Sequence, residues 1–204
     1  KPQTSNLKPQ TPNPKPQTST MKLTQGTIPG LLIFEPVIYS DDRGSFMETY
    51  NTERFAALGF HEVFVQDNES VSGRGVIRAL HFQNPPMAQG KLVRVVRGAV
   101  MDVAVDIRQG SPWYGQHQNV MLTRDNRLMF WLPPGFAHGF VALEEDTIVH
   151  YKCTSVYSRD HEHSIRWDDP DLGIDWGVEH PLVSERDRNA TPFQSHKGLF
   201  IYHG

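Results

Sequence analysis

The stretch Leu132–Phe140, with the sequence Leu-Pro-Pro-Gly-Phe-Ala-His-Gly-Phe, joins a turn directly to a strand. Its two prolines and its glycine are turn residues, and the apolar run behind them predicts a strand that contains one histidine, His138. The stretch Arg78–Gln83, Arg-Ala-Leu-His-Phe-Gln, likewise places one histidine, His81, after the strand-like run that begins at Gly75. Each histidine therefore occupies a position from which a side chain can face the interior of a β-structure.

Short apolar or alternating runs, separated by turn residues, continue outward from these two stretches at intervals typical of sandwiches and barrels. Parallel α/β folds need regularly interposed crossover helices, and the only convincing early helix here is Thr52–Leu58, with Thr52 as its cap. The spacing therefore predicts an all-β, antiparallel jelly roll with a few short helices. The expected strands include Leu31–Pro36, Lys91–Val96, Ala99–Asp106, Asn119–Leu122, Leu128–Leu132, Gly139–Leu143 and Thr147–Thr154.

Composition limits the function classes. The chain has 204 residues, 38% of them hydrophobic, which is enough for one sizeable core. Its net charge of −3 comes from acidic and basic residues mixed along the sequence, so we expect no nucleic-acid or membrane partner. The single cysteine, Cys153, cannot form an intrachain disulfide, is expected in a buried strand and is compatible with a cytoplasmic location. The longest apolar runs, such as Val100–Val105, are far shorter than the roughly 20 residues of a membrane helix, and no signal peptide is visible.

The two ends of the chain differ from the middle. Residues 1–20 repeat Lys-Pro-Gln-Thr three times and are predicted to form a disordered tail, so Met21 looks like the natural start of a single domain over 21–204. After Tyr157 the chain becomes rich in proline and aspartate. We expect this segment to pack across the barrel or its mouth, held by Trp167, Trp176 and Leu182.

His81 has two interpretations from the residues alone. It is either a hydrogen-bonded core histidine or a pocket base, and a lone histidine does not decide between them. Strict alternation puts residues 77, 79 and 81 on one face of the strand, so Arg78 would leave on the other face unless the strand bulges.

Three further residues also have two interpretations each. Lys91 is either a solvated lysine at a strand end or a pocket cation that stabilises an oxyanion. Tyr151 is either a core tyrosine or a proton donor. Asp187 is either a solvated charge or a carboxylate that fixes the tautomer of an imidazole.

A catalytic metal is not expected. In metal-binding cupins, a class of jelly-roll barrels, the histidine of Pro-x-Gly-x-x-His is the last ligand, and a His-x-His followed by Glu supplies the others. This chain has only His81 at the first site, and zinc or iron sites need at least three protein ligands. The cluster His161-Glu162-His163 is expected in a polar surface loop.

Taken together, the motifs closely resemble the dTDP-4-dehydrorhamnose 3,5-epimerase family over about Ile28–Phe193. The blocks that carry the resemblance are Phe34-Glu35-Pro36, Asp42-Arg43-Gly44-x-Phe46-x-Glu48, Gln66-x-Asn68, Arg78-x-Leu80-His81-Phe82-Gln83, Gln89-Gly90-Lys91-Leu92-Val93-Arg94, Asp102–Asp106, Pro133–Phe140, Tyr151-Lys152 and Ser184-Glu185-x-Asp187. Several independent blocks in one order make the resemblance specific.

The resemblance implies a set of roles. His81 would be the general base, paired with Asp187, while Tyr151 would be the acid on the opposite face of the sugar and Lys91 would neutralise the enolate oxygen. His138, with Asp102, would lie in or beside the pocket. The residues implied to hold the dTDP-sugar are Arg43, Phe46, Glu48, Gln66, Asn68 and Arg78. The implied enzyme is a cytoplasmic homodimer without cofactor or metal that supplies the L-rhamnose precursor for cell-envelope polysaccharides such as lipopolysaccharide.

Two departures from the family pattern concern fine specificity. Ala79 stands where the family commonly has glycine, and Arg186 stands where it usually has lysine. The nearest alternative is a mono-epimerase that inverts only C3 or only C5 of a dTDP-4-keto-6-deoxysugar, and a sugar-nucleotide ketoisomerase is more distant. From other classes, a metal-dependent cupin oxygenase would need ligands that the chain lacks, and a non-catalytic sugar-binding cupin would not need His81, Tyr151, Lys91 and Asp187 together.

Overall fold

A computed structural model describes residues 15–16 and 20–203 of the chain. Its helices are α1 (Thr52–Ala57) and α2 (Glu185–Arg188), with 3₁₀ turns at Arg159–His161 and Phe193–His196. Its strands are β1 (Lys15–Pro16), β2 (Lys22–Gln25), β3 (Leu32–Glu35), β4 (Ile38–Asp41), β5 (Gly44–Met47), β6 (Gln66–Ser72), β7 (Val76–Gln83), β8 (Lys91–Arg97), β9 (Ala99–Asp106), β10 (His117–Thr123), β11 (Met129–Leu132), β12 (Phe136–Ala142), β13 (Thr147–Cys153), β14 (Glu162–Ser164) and β15 (Leu182–Val183).

Two large sheets contain most of these strands. The first, which we call the β7 sheet, has the order β10-β9-β12-β7-β14, and β15 also pairs with β7. The second, the β8 sheet, has the order β2-β3-β11-β8-β13-β6. Apart from the parallel β15–β7 pair, the ladders of both sheets are antiparallel, and most neighbours are not consecutive in the chain. The predicted antiparallel, cupin-like jelly roll is therefore confirmed.

The main core lies between the inner faces of the two sheets. It contains side chains from both, because alternate residues of each strand point inward. Its buried members are Ile28, Leu31, Val93, Val95, Val100, Ala104, Val120, Leu122, Phe130, Leu132, Phe136, Phe140 and Val149. The turn before β12 depends on Gly135, whose φ of 93° lies in the left-handed region that L side chains rarely adopt.

The segment after Tyr157 covers the outer face of the β7 sheet. Trp176 is buried there and Trp167 packs against the same cluster, as the sequence predicted. Leu182 does not help to hold the segment, because 59% of its surface is exposed where β15 runs along the sheet edge. The prediction of a surface loop at His161–His163 is also wrong, since Glu162 and His163 belong to β14, which pairs with β7, and all three residues are half-buried.

The sequence predicted Thr52 as the N-cap of α1, but Thr52 is already the first residue of the helix. Asn51, and not Thr52, is the N-cap: its Oδ1 accepts hydrogen bonds from the backbone N–H groups of Glu53 and Arg54 at 3.0 and 3.1 Å. The helix packs Phe55 into an aromatic cluster on the outer face of the β8 sheet, where its ring stacks 4.7 Å from Phe34.

A third, smaller sheet contains β1, β4 and β5, in which Lys15 and Pro16 pair with Ser40 and Tyr39. The turn Asp41–Gly44 connects β4 to β5, and we call this pair the β4–β5 hairpin. Most of the predicted tail, residues 1–20, lies outside the described residues. Cys153 is buried in β13, as expected. Among the described helices, none has the length and apolar character that crossing a bilayer requires.

Candidate active site

A cavity opens between the inner faces of the two sheets, beyond the apolar core. It consists of an outer lobe of 350 Å³ and an inner lobe of 270 Å³, both of which are lined by Asn68, His81, Lys91 and Tyr151. Cavities of this size are typical of small-molecule sites. His81 belongs to the β7 sheet, whereas Lys91 and Tyr151 belong to the β8 sheet, so the polar groups approach the cavity from facing walls.

His81 and Asp187 form a dyad at one wall. The distance between Nε2 of His81 and Oδ1 of Asp187 is 2.7 Å, and Asp187 is only 3% exposed. Ser184 caps α2 by accepting a hydrogen bond from the Asp187 N–H, which holds the carboxylate-bearing residue in place. Because a carboxylate only accepts, Nε2 carries the proton and Nδ1 keeps the lone pair of the neutral ring.

The carboxylate of Asp187 is stabilised in its charged form. Burial alone would raise the pKa of Asp187, but the hydrogen bond from His81 and those from Ser184 and the backbone N–H of Ala79 bring the pKa below its ordinary value. The dyad thus contains a carboxylate that remains ionised at neutral pH and orients the imidazole.

Lys91 and Tyr151 lie on adjacent strands of the β8 sheet. Lys91 is 8% exposed, and its Nζ donates to the backbone carbonyl of His81 at 3.3 Å, so the solvated interpretation of this lysine is wrong. Burial lowers the pKa of Lys91, whereas the nearby Cys153 and Asp102 act in the opposite direction. Burial also raises the pKa of Tyr151, so its hydroxyl is protonated at neutral pH and available as a donor.

A second histidine–aspartate pair lies beside the first. His138 is paired in register with His81 across the β12–β7 ladder, and its Nε2 lies 3.0 Å from both carboxylate oxygens of Asp102. Burial lowers the pKa of His138 and raises that of Asp102, because a charge on either group would be desolvated. His138 lines the inner lobe, so it reaches the cavity as expected.

Arg78 also faces the inner lobe, together with His81. Strict alternation would have placed them on opposite faces, but the β12–β7 register shifts between His138 and Phe140. Arg78 donates from Nε to Ser72 Oγ at 3.1 Å and from Nη2 to the carbonyl of Val71 at 3.2 Å. These contacts leave further guanidinium donors for an anion.

Two predicted binding residues, Gln66 and Asn68, are alternate residues of β6 and point to the same, inner face of the sheet. The Gln66 side-chain amide donates to Asn68 Oδ1 at 2.9 Å, and Gln66 Oε1 accepts from the backbone N–H of Tyr157 at 2.7 Å. Both side chains line the outer lobe.

Two residues at the mouth of the cavity, Tyr157 and Glu162, are not predicted by the sequence motifs. The Tyr157 hydroxyl donates to Glu162 Oε2 at 2.8 Å, and Arg186 forms an ion pair of 2.8 Å with the same oxygen. Glu162 reaches the cavity only because β14 pairs with β7, a long-range contact that leaves no local signal in the sequence. Gln83 and Gln89 line the same lobe.

Three predicted binding residues lie apart from this cavity within one chain. Arg43 and Phe46 are on the β4–β5 hairpin, where Arg43 is paired with Asp41 at 2.6 Å and Phe46 is 69% exposed. Glu48 follows the hairpin and accepts a hydrogen bond from Asn51. None of the three lines either lobe.

The arrangement is suited to proton transfer at a carbon next to a carbonyl. The imidazole of His81 and the protonated phenol of Tyr151 line the cavity from opposite sheets, and the buried Lys91 lies on the same sheet as Tyr151. Over residues 15–16 and 20–203, no three His, Cys, Asp or Glu side chains are grouped as a metal site would require.

Comparison with known proteins agrees with this chemistry. The family profile described as dTDP-4-dehydrorhamnose 3,5-epimerase matches residues 25–195. A dTDP-4-dehydrorhamnose 3,5-epimerase of Methanothermobacter thermautotrophicus is 51% identical over 171 residues, which are 82% of this chain and 92% of that protein.

Solved structures are similar as well. The dTDP-6-deoxy-D-glucose-3,5-epimerase of Legionella pneumophila, crystallised with dTDP-4-keto-L-rhamnose, is 43% identical with a TM-score of 0.85, covering 90% of this chain and 100% of that one. A 3′-monoepimerase from Streptomyces bikiniensis, crystallised with dTDP-quinovose, is 38% identical with a TM-score of 0.81, covering 87% and 91%. By profile, sequence and structure, this chain belongs to the dTDP-4-dehydrorhamnose 3,5-epimerase family.

Proposed function

We propose that this protein converts dTDP-4-dehydro-6-deoxy-D-glucose to dTDP-4-dehydro-L-rhamnose by inverting C3 and C5 of the sugar. One observation supports this above all: His81 and Tyr151 face each other from opposite sheets across a cavity that also holds Lys91. The product is the precursor of activated L-rhamnose, which is used in cell-envelope polysaccharides.

The C4 ketone makes the protons on both neighbouring carbons acidic. Nδ1 of His81 takes the proton from the carbon, and the electron pair of the broken C–H bond moves into the C4 oxygen to form an enolate. The Tyr151 hydroxyl then donates its proton to the same carbon from the other face, so the centre is inverted. Exchange with solvent returns the proton to Tyr151 and removes the one on His81.

Lys91 is proposed to stabilise the enolate oxygen. Because burial disfavours the lysine charge, an anion that develops beside it stabilises that charge in return. This interaction is stronger in the transition state than with the neutral ketone, so it lowers the barrier rather than only tightening binding. Proton transfer of this kind needs no redox cofactor, and we propose that none is used.

The nucleotide would be held by residues at the two ends of the cavity. Arg78 has free guanidinium donors at the inner lobe and suits a phosphate, because its planar fork can make two parallel hydrogen bonds. Gln66 and Asn68 line the outer lobe with side-chain amides.

Arg43, Phe46 and Glu48 can contact the same substrate only if a second copy of the chain brings them to it. We propose a homodimer in which the β4–β5 hairpin of one subunit reaches the cavity of the other. Phe46 is exposed, and none of the three residues lines the cavity of its own chain; both observations support this arrangement. We further propose a cytoplasmic location, which suits a nucleotide-sugar substrate and a free, buried Cys153.

A mono-epimerase is the second candidate. The 38% identity and TM-score of 0.81 to a 3′-monoepimerase favour it as an alternative, since the same fold supports inversion of one centre. Both activities need the His81–Asp187 dyad, so they differ in how the sugar and the proton donor are placed.

The deciding experiment is proton NMR of dTDP-4-dehydro-6-deoxyglucose incubated with the protein in deuterated water, before and after coupling to a ketone reductase. Deuterium at both C3 and C5, with an L-rhamno product after reduction, is expected. Deuterium at a single carbon would identify a mono-epimerase. Absence of exchange would contradict catalysis and indicate a binding protein.

A further inference from the structure

The ladder between β12 and β7 contains an irregularity at the dyad. His138 is paired with His81, and Phe140 is paired with Arg78. Between these two pairs β12 has one residue, Gly139, whereas β7 has two, Ala79 and Leu80. Two residues against one is the pattern of a β-bulge, which re-aims the side chains on either side of it.

The bulge changes which residues of β7 face the cavity. Ala79 and Leu80 are consecutive, yet both are 0% exposed and belong to the same outer cluster as Ile77 and Phe82. Since one residue has been added to the outer face, Arg78 and His81 both point inward although they are three positions apart. Without the bulge only one of them could line the cavity.

Gly139 lies opposite the bulge and very close to its backbone. A Cβ at this position would lie 2.4 Å from the Cβ of Ala79, 2.9 Å from its Cα and 2.9 Å from the carbonyl oxygen of Arg78. Two of these three atoms belong to the backbone of the bulge, so no side-chain rotation could relieve the contact. Any other residue at 139 would therefore push β12 and the bulge apart.

The bulge also borders the dyad, because His81 follows Leu80 directly in the chain. Asp187 in turn lies 2.7 Å from His81 Nε2. A displacement of the bulge would therefore move Arg78 and His81 together and disturb the contact of His81 with Asp187.

We propose that Gly139 is a positioning residue of the epimerase: its lack of a side chain allows the β7 bulge that turns Arg78 and His81 to one cavity. The inference rests on the proposed function, because it assigns catalytic meaning to the placement of His81. No contact between Gly139 and substrate is required, since it acts through Ala79.

The test compares four proteins by steady-state kinetics with dTDP-4-dehydro-6-deoxyglucose: wild type, Gly139→Ala, Ala79→Gly and the double variant. Gly139→Ala is expected to lower kcat about a hundredfold, the order of loss for a misplacement of about 1 Å, and to raise KM through Arg78. The double variant lacks the Cβ of residue 79 and therefore the 2.4 Å contact. Adding Gly139→Ala to Ala79→Gly should therefore lower kcat by a smaller factor than adding Gly139→Ala to wild type. The matched control is Gly73→Ala, whose Cβ would meet only the end of the flexible Glu145 side chain, at 3.0 Å.

Each rate is normalised to the folded fraction from circular dichroism, because a mere loss of folded protein would lower the apparent kcat without changing KM. The proposal would be overturned if folded Gly139→Ala had the kcat and KM of wild type. It would also be overturned if folded Gly139→Ala lost kcat and the additional change Ala79→Gly restored none of it. If Gly139→Ala does not fold, the double variant decides. Reduced kcat is expected there from the two remaining backbone contacts, and wild-type kcat would refute the proposal. Failure of the proposed function is separate, since it would appear as an inactive wild type.

Discussion

His81 and Tyr151 are the two residues whose removal should affect chemistry and not binding. His81→Ala removes the base, and Tyr151→Phe removes the donor hydroxyl while keeping the ring that packs against the core. Each change is expected to lower kcat by about 10² to 10⁴, the usual contribution of a positioned acid or base, and to leave the affinity for dTDP almost unchanged. Kinetics at saturating substrate and calorimetric titration with dTDP measure the two quantities.

The matched control for Tyr151→Phe is Tyr50→Phe. The Tyr50 hydroxyl donates to the carbonyl of Glu62 outside the cavity, so its loss should leave kcat as it is. Wild-type turnover in Tyr151→Phe would remove this residue from the mechanism.

The pH dependence of stability tests the charge on Asp187. Its pKa in the folded protein is lower than the value of about 3.9 expected in the unfolded chain, so the folded state holds the proton less tightly. The ionised carboxylate therefore stabilises the fold above about pH 4, and this contribution is lost as the pH falls through the lower folded-state pKa. The stability difference between wild type and Asp187→Asn should be largest near neutral pH and shrink towards pH 3, as measured by urea unfolding. A difference that stays constant would contradict the assignment.

Among the elements, helix α1 shows which of two neighbouring residues, Asn51 or Thr52, is the N-cap. Asn51→Ala removes the side chain that accepts hydrogen bonds from Glu53 and Arg54, and it should cost about 1 kcal/mol of unfolding free energy. Thr52→Ala, at the cap that the sequence predicted, should change stability by less than about 0.5 kcal/mol because Thr52 is exposed and makes no capping contact. Urea denaturation of both variants gives the comparison, and the reverse ranking would show that Thr52 is the cap.

The boundaries of the strands were predicted to within a few residues because alternation and turn residues are local properties. Ala99–Asp106 is a strand with the predicted bounds. The bulge in β7 was foreseen only as a condition for placing Arg78, since it depends on how closely β12 approaches. Strand β14 had no local signal at all, because three polar residues become a strand only by pairing with β7.

At the scale of the whole molecule, the proposed dimer makes each site a composite of two subunits. Mixing His81→Ala with Arg43→Ala produces mixed dimers in which one site carries both changes and the other carries none. Restoration to about a quarter of wild-type activity is expected after refolding together, since about half of the dimers are mixed and each has one intact site of two. The activity of the mixture is compared with that of each parent.

The matched control mixes His81→Ala with Tyr151→Phe. Both residues line the cavity within one chain, so no combination of subunits yields an intact site and no activity should return. Restoration in this control, or none in the first mixture, would contradict a hairpin that crosses between subunits.

The amino-acid sequence by itself determined the fold class and the positions of most long strands, and through its family motifs it nominated the residues of the proposed reaction. These follow from alternation, turn chemistry and short motifs, all of which are local in the chain. Only the tertiary structure decided which of these residues share a cavity: it buried Lys91, paired His81 with Asp187 across 106 positions and left Arg43 and Phe46 elsewhere. The physical reason is that burial and side-chain direction depend on contacts between distant strands, and a single bulge can reverse the face that a residue occupies.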